Sequence, residues 1–184
     1  MLSELRKGVM TPKTKAVLSQ TSTNVLPKDS VMIHCHRNTV AKKNALMLKA
    51  LKTKAHFYEA KDSSTIRLPS DYLKNLFANC PAPLRLVLKI GAPVILVKNI
   101  SDELVNGLSG KVTDFFYEKK EDEYLPVVQF KTINEPIIIE RNTWSIEKGD
   151  GSVLACRKQL PLNLSWALTI HKCQGMTLEN AVMD

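Results

Sequence analysis

The pattern of apolar residues changes its period near residue 84, and this change constrains the fold more than any other feature. Before it, amphipathic stretches alternate with short apolar runs, whereas after it short strand-like segments follow one another to about residue 157. Several short strands at regular spacing predict a small β-barrel or sandwich. From residue 160 the earlier pattern returns. We therefore expect an α/β domain that is interrupted by an inserted β-barrel.

The segment before residue 84 predicts the start of this α/β domain. Thr11 and Pro12 suit the N-cap and first turn of a helix, and Asn38 suits the N-cap of a longer one. A strand, a capped helix and a second strand suggest one α/β unit. The expected elements are a helix over 11–20, a loop over 22–29, a strand over 31–35, a helix from Asn38 to about 52, and a strand over 56–60.

The middle segment predicts strands joined by turns. Residues 111–117 and 124–130 flank the charged turn 118–123, which is typical of a hairpin. Gly91 to Pro93 is expected to bend the chain between two apolar runs, and residues 148–151 suit a turn. The other expected strands lie over 85–90, 94–97, 137–139 and 152–157.

Charge and cysteine usage limit the functional classes. Lys and Arg number 26 against 18 Asp and Glu, and the net charge of +8 favours a polyanionic partner, although a basic domain without one stays open. No stretch approaches the ~20 apolar residues of a membrane helix. The four cysteines are scattered without a C-x-x-C pair, which indicates a reduced intracellular protein.

Three patterns that could carry chemistry fail on spacing. Gly107 and Gly110 stand before a lysine, but a phosphate loop needs four residues between its glycines and a Ser or Thr after the lysine. His34 and His36 share a strand face without the further ligands that zinc requires. His171 and Cys173 point to different sides of a helix. We therefore expect no catalytic, cofactor or metal site in this chain.

The segment LPLNLSWALTIHKCQGMTL over 160–178 concentrates hydrogen-bond donors. We expect a helix from Ser165 to about Gln174, with Gly175 at its C-cap and a strand from Thr177 onward. Such donors suit contacts with phosphate and sugar, although an ordinary polar helix end would also explain them. The candidate DNA-binding residues are Thr169, His171, Lys172, Gln174, Gly175 and Thr177.

This segment resembles motif V of the Pif-type, RecD-like DNA helicases, written LPL-x-L-A-W-A-x-T-I-H-K-S-Q-G-x-T-L. It departs from that pattern at Ser165 and Cys173. A second block, LKIGAPVILVKN over 88–99 with LVNGLSG over 104–110, is similar to a family block in which Gln stands at the position of Pro93. Residues 36–51, including Asn44, resemble the strand and helix that follow motif III. The resemblance covers nearly the whole chain.

The resemblance implies a RecA-like P-loop helicase fold and an activity. Residues 1–83 would close the first RecA-like domain and start the second, 84–159 would form the inserted small β-barrel called 2B, and 160–184 would return to the second domain. The family implies 5′-to-3′ unwinding of DNA driven by ATP and magnesium, with single-stranded DNA as the partner. It also implies roles in DNA repair, recombination and telomere maintenance, and a nuclear or mitochondrial location in eukaryotes.

The motifs that drive such a helicase are not found in this sequence. It has no phosphate loop, no Asp-Glu pair of Walker B type and no motif VI arginine, so the chain alone is expected neither to hydrolyse ATP nor to unwind DNA. We expect that the ATP-binding half of the parent helicase is missing from this chain. Two alternatives stay open, which are a stand-alone module that binds single-stranded nucleic acid and an inactive helicase remnant.

Overall fold

The chain forms a mixed α/β structure, seen in a computed structural model that describes residues 2–21, 30–174, 176, 178 and 180–183. Its helices are α1 (Leu2–Arg6), α2 (Pro12–Thr21), α3 (Arg37–Ala50) and α4 (Ser70–Leu76). Its strands are β1 (Val31–His34), β2 (His56–Glu59), β3 (Lys61–Ser64), β4 (Arg85–Leu88), β5 (Pro93–Leu96), β6 (Ser109–Glu118), β7 (Glu123–Phe130), β8 (Ile137–Ile138), β9 (Asn142–Glu147), β10 (Val153–Gln159), β11 (Leu162–Leu164), β12 (Ala167–Thr169) and β13 (Ala181–Met183).

A parallel sheet joins the two ends of the described chain. Its strand order is β12-β1-β13, with Met32 opposite Ala167 on one side and opposite Val182 on the other. Helix α3 packs on this sheet and contacts β1 and β12. Because the strands between β1 and β12 pair in other sheets, those sheets are inserted between two strands of the parallel sheet.

The inserted part consists of short antiparallel sheets around a shared core. The largest has the order β11-β5-β6-β7-β8, and smaller ones have the orders β3-β10-β9 and β2-β4. Their inward-facing side chains form one cluster with no more than a few per cent of their surface exposed, including Tyr58, Leu88, Val112, Phe130 and Leu160. Burial on this scale is what holds such short strands together.

The structure confirms the sequence interpretation of the middle segment. Strands β6 and β7 form the predicted hairpin, and Tyr117 lies opposite Tyr124 beside the charged turn. Gly91 adopts a positive φ of 91° between β4 and β5, which explains the glycine at that bend. Residues 107–112 lead into a strand rather than a helix, as expected for a turn and not for a phosphate loop.

The predicted helix over 165–174 is wrong. Residues Ala167–Thr169 form β12, and residues 170–174 form turns. All three strand residues are buried, because β12 lies beside β1 and under α3. A short apolar run that is buried on every side has no period by which to tell strand from helix.

Two predictions near α3 are also wrong. The helix begins at Arg37 with His36 at the N-cap, so Asn38 lies inside the first turn and does not cap it. Strand β2 forms as predicted, but it pairs antiparallel with β4 instead of joining the sheet of β1, so β1, α3 and β2 are not one α/β unit. Strands β9, β3 and β11 and helix α4 were not expected.

Some predictions fall outside the residues that the structure describes. These are the loop over 22–29 and the positions of Gly175 and Thr177. Strands β2 and β3 precede residue 84 but pair with β4 and β10 of the inserted part. The division of the chain at residues 83 and 159 stays a prediction. No helix among the described residues is long and apolar enough to cross a membrane.

Candidate functional site

The donor-rich segment after β12 folds into a tight turn. The carbonyl of Thr169 accepts hydrogen bonds from the backbone N–H groups of Lys172 at 2.9 Å and Cys173 at 3.2 Å. The carbonyl of His34, at the end of β1, accepts one from Ile170 at 3.1 Å. The turn therefore starts where the parallel strands β1 and β12 both end, which is the edge where open α/β sheets bind ligands.

The turn exposes three of the predicted residues and buries a fourth. His171, Lys172 and Gln174 are exposed on it, whereas Thr169 retains 6% of its surface and faces the interior. The first three are thus brought together at one edge of the sheet. Thr169 is not at this surface, and Gly175 and Thr177 are outside the described residues.

Arg37, which sequence reasoning did not select, opens α3 three residues after β1 ends, and its charge acts on Lys172. Although Lys172 is exposed as a residue, partial desolvation of its amine and then the charge of Arg37 lower the pKa of Lys172. In the described part of the chain neither residue makes an ion pair. Two close cations without a carboxylate repel each other, and an anion between them would relieve that repulsion.

The first turn of α3 adds to this positive edge. The helix has 14 residues, its N-cap His36 makes no side-chain cap bond, and its first turn holds no acidic residue. Backbone N–H groups at a helix start are unpaired and carry partial positive charge. Because Arg37 opens this helix, the N–H groups and the two cations share one edge, as a phosphate-binding site would require.

Asn44 fixes the position of α3 relative to β12, and thereby of the sheet edge that carries the turn. Its side chain is buried in α3, where its amide donates to the carbonyl of Ala167 at 3.0 Å and accepts from the N–H of Ala167 at 2.9 Å. Two hydrogen bonds to one backbone unit hold α3 and β12 in a fixed register. The resemblance of residues 36–51 to the helicase family pointed to this residue but did not give its role.

An apolar cluster supports the turn from the side of the inserted sheets. Ile95, Val97 and Leu168 are buried together, and Trp144, Cys173 and Met176 pack against them. A Cβ on Gly107 would lie 3.3 Å from Cγ of Met176, so the loop before β6 also approaches the turn closely. Burial raises the pKa of the Cys173 thiol, which makes it a packing residue rather than a nucleophile.

No metal centre is formed by the residues described. None of their His, Cys, Asp and Glu side chains gather in groups of three or more that could hold an ion. His34 and His36 therefore belong to no such group among the residues described.

Comparison with known proteins identifies the class of this fold. The sequence profile of the DNA helicase Pif1 2B domain matches residues 71–115. A crystal structure of the Pif1 helicase from Candida albicans superposes with a TM-score of 0.82 at 31% identity, covering 100% of this chain and 46% of that one. A structure of Bacteroides Pif1 bound to single-stranded DNA matches with a TM-score of 0.68 at 26% identity, over 99% of this chain and 41% of that one.

Relatives in sequence agree with these structures. The ATP-dependent DNA helicase PIF1 of Homo sapiens is 36% identical over 97% of this chain, and that of Xenopus laevis is 35% identical over the same share. The chain belongs to the Pif1 helicase family, and it spans 27% of the length of each of these two relatives.

Proposed function

We propose that this chain is the part of a 5′-to-3′ ATP-dependent DNA helicase that holds single-stranded DNA. The phosphate backbone would lie across the turn after β12, where His171, Lys172 and Gln174 are exposed. Arg37 and the first turn of α3 would complete the contact. Such contacts position a strand without reading its bases, as a translocating helicase requires.

The observation that carries this proposal is the exposure of His171, Lys172 and Gln174 on the turn where β1 and β12 both end, at the edge where α3 begins with Arg37. Desolvation of the amine and then the charge of Arg37 lower the pKa of Lys172, so the fold holds this ammonium group at an electrostatic cost. A cation kept at such a cost, at the ligand-binding edge of a parallel sheet, is better explained by an anionic ligand than by stability. The name of the Bacteroides complex, which is bound to single-stranded DNA, supports the choice of ligand.

We further propose that ATP and magnesium are bound by parts of the helicase that this chain does not span. The sequence contains no phosphate loop, and Gly107 to Lys111 leads into β6. Residues such as a P-loop lysine, a magnesium ligand and an arginine finger supply most of the stabilisation in phosphoryl transfer. The chain alone would therefore bind DNA without hydrolysing ATP.

The test is a titration of the purified chain with fluorescent oligothymidine over a series of salt concentrations. We expect affinity to fall steeply with salt, and Arg37→Ala or Lys172→Ala to weaken binding and reduce the salt slope by about one each. Lys42→Ala is the matched control, because Lys42 is exposed on the same helix outside this edge. Equal slopes for all three variants would contradict the proposed contact.

Two other functions remain distinguishable. A stand-alone nucleic-acid-binding module would bind DNA through the inserted sheets and would tolerate both substitutions. An inactive remnant would bind no DNA at low salt even as a folded sample. The unpaired cations at the sheet edge favour the helicase part over both.

A further inference from the structure

A cluster of aromatic rings lies at the far end of the hairpin β6–β7. The imidazole of His56 stacks on Phe115 with ring centroids 3.8 Å apart and an interplanar angle of 18°. Tyr124 meets His56 edge-on at 5.1 Å and meets Tyr117, its cross-strand neighbour, at the same distance. Four rings thus share one face of the inserted sheets.

The outer half of this cluster is open to solvent. Tyr117 and Tyr124 keep 43% and 44% of their surface exposed, whereas His56 and Phe115 are half-buried beneath them. The hydroxyl of Tyr58 donates to the carbonyl of Tyr124 at 2.6 Å, and the hydroxyl of Tyr117 donates to Asp122 at 2.5 Å. The ring of Tyr117 and the backbone of Tyr124 are therefore held in place before any ligand arrives, which lowers the entropic cost of stacking there.

A lysine lies over one of the exposed rings and can bind an anionic group there. The amine of Lys54 lies 5.6 Å from the centre of the Tyr124 ring. Of the carboxylates of the same hairpin, Glu121 pairs with Lys61 and Lys158 and Glu123 pairs with Arg141, whereas Asp114, Glu118 and Asp122 accept hydrogen bonds from neutral groups and keep their charge. In the part of the chain that the structure describes, Lys52, Lys54, Lys119 and Lys120 are exposed and make no ion pair.

We propose that the face formed by Tyr117 and Tyr124, beside Lys54, is a second contact surface for single-stranded DNA at which unpaired bases stack. Every base presents a flat π-face, so stacking on aromatic side chains tolerates any sequence, and a nearby lysine binds the phosphate that follows. Burial and then the charge of Lys54 lower the pKa of His56, which favours its neutral form in the ring cluster. The proposal rests on the function proposed above and adds a second point of contact to it.

The two surfaces lie at opposite ends of α3. Arg37 opens this helix beside Lys172, and the chain that leaves its other end reaches Lys54 within a few residues. A helix of this length spans roughly 20 Å, which corresponds to about six stacked nucleotides. One DNA strand of modest length could therefore contact both surfaces, whereas a shorter DNA strand could contact only one surface at a time.

The experiment compares the full chain on two labelled strands of about 15 nucleotides, one of thymidine and one of abasic sugar-phosphate, since single-strand sites cover about 4–16 nucleotides. Tyr117→Leu/Tyr124→Leu is expected to weaken binding of the thymidine strand by roughly five-fold or more and to leave binding of the abasic strand unchanged. Lys172→Ala is expected to weaken both strands. The two losses thus report on the two surfaces separately.

Matched controls separate stacking from folding. Phe116→Leu changes a ring that is 46% exposed on the opposite face of the same strand, and it should bind both strands as the parent does. Tyr117→Phe/Tyr124→Phe keeps both rings and loses the hydroxyl bond to Asp122, and it should bind the thymidine strand more tightly than the double leucine variant does. Thermal unfolding of each variant checks that the hairpin is intact.

Several results would overturn the proposal. If the double leucine variant binds the thymidine strand as tightly as the parent does, the face does not bind DNA and would suit another kind of partner, such as a protein segment. An equal loss on the abasic strand would show that stacking is not involved. If the tyrosine variants bind poorly and Lys172→Ala binds normally, the stacking face stands and the contact at the sheet edge fails. Absence of binding by the parent chain at low salt contradicts both.

Discussion

The side chain of Asn44 makes both of its backbone hydrogen bonds to a single residue, Ala167, which stands 123 positions later in the chain. Ala167 is the first residue of β12, and the turn with Lys172 begins just after that strand ends. One amide group thus ties the helix that carries Arg37 to the strand that leads into the turn with Lys172. The positions of Arg37 and Lys172 relative to each other therefore depend on the two hydrogen bonds of Asn44.

Replacing Asn44 with alanine is therefore expected to destabilise the fold strongly. The substitution leaves the N–H and the carbonyl of Ala167 without their side-chain partners in a buried place, and each such group costs about 1–3 kcal/mol. We expect the free energy of unfolding to fall by roughly 2–4 kcal/mol in urea denaturation. Asn38→Ala, at an exposed position in the first turn of the same helix, should change it by less than about 0.5 kcal/mol. Similar losses for the two variants would contradict this account.

Replacing Lys172 with methionine is expected to change stability and DNA binding in opposite directions. The pKa of Lys172 is lowered in the folded state by desolvation and Arg37, so the charged amine destabilises the fold at neutral pH. The free energy of unfolding rises as the pH increases through the folded-state pKa of Lys172, because the folded chain then loses this proton while the unfolded chain still holds it. Methionine removes this cost, so the thermal midpoint at pH 7 should rise while affinity for single-stranded DNA falls.

The matched control for that substitution is Lys42→Met. Lys42 is an exposed lysine in the middle of α3, the helix that Arg37 opens. Neither the midpoint nor the affinity should change appreciably. A lower midpoint for Lys172→Met would show that the lysine stabilises the fold and would remove the electrostatic argument for a bound anion.

The sequence predicted those elements whose signal is local. The hairpin of β6 and β7 was predicted because a charged turn separates two apolar runs, and the bend before β5 because Gly91 tolerates a positive φ. The resemblance to helicases likewise found the segment with Lys172. In these cases the residues themselves, or their order, carry the information.

The missed features depend on contacts between distant residues. Strand β12 was predicted as helix because its residues are buried by β1 and α3, which are far away in the chain. Strand β2 was assigned to the wrong sheet because the residues of β2 do not indicate that the strand pairs with β4. Arg37 was overlooked as a site residue because only the fold brings it to Lys172.

Gly110 is expected to be intolerant of any side chain. A Cβ at this position would lie 2.7 Å from Cγ1 of Val128 and 2.9 Å from the carbonyl of Gln129, which is backbone and cannot move aside. We expect Gly110→Ala to lower the free energy of unfolding by about 1–3 kcal/mol, the usual cost of forcing extra atoms into a packed site. Gly149→Ala is the control, because its Cβ would meet no atom within 4 Å. Equal melting temperatures for the two variants would contradict the tight approach of β6 and β7.

The ion pair between Arg157 and Asp62 is expected to be essential to the inserted sheets. The guanidinium makes two hydrogen bonds of 2.7 Å to the carboxylate, and the two side chains retain only 4% and 12% of their surface. The same guanidinium lies 4.8 Å from the centre of the Phe77 ring and also reaches the carbonyl of Ala82. Arg157 therefore ties strands β3 and β10 to the segment around Phe77.

Asp62→Ala leaves this guanidinium buried without its counter-charge, which costs about 3–5 kcal/mol in comparable buried pairs. We expect the variant to unfold at a markedly lower urea concentration. Asp71→Ala removes the exposed partner of Lys74, and such surface pairs are worth about 0–1 kcal/mol, so its unfolding should be nearly unchanged. The double variant Asp62→Leu/Arg157→Leu should recover part of the loss, because both charges are then absent. No recovery would indicate that the carbonyl and ring contacts of Arg157, rather than its charge pair, hold the sheets together.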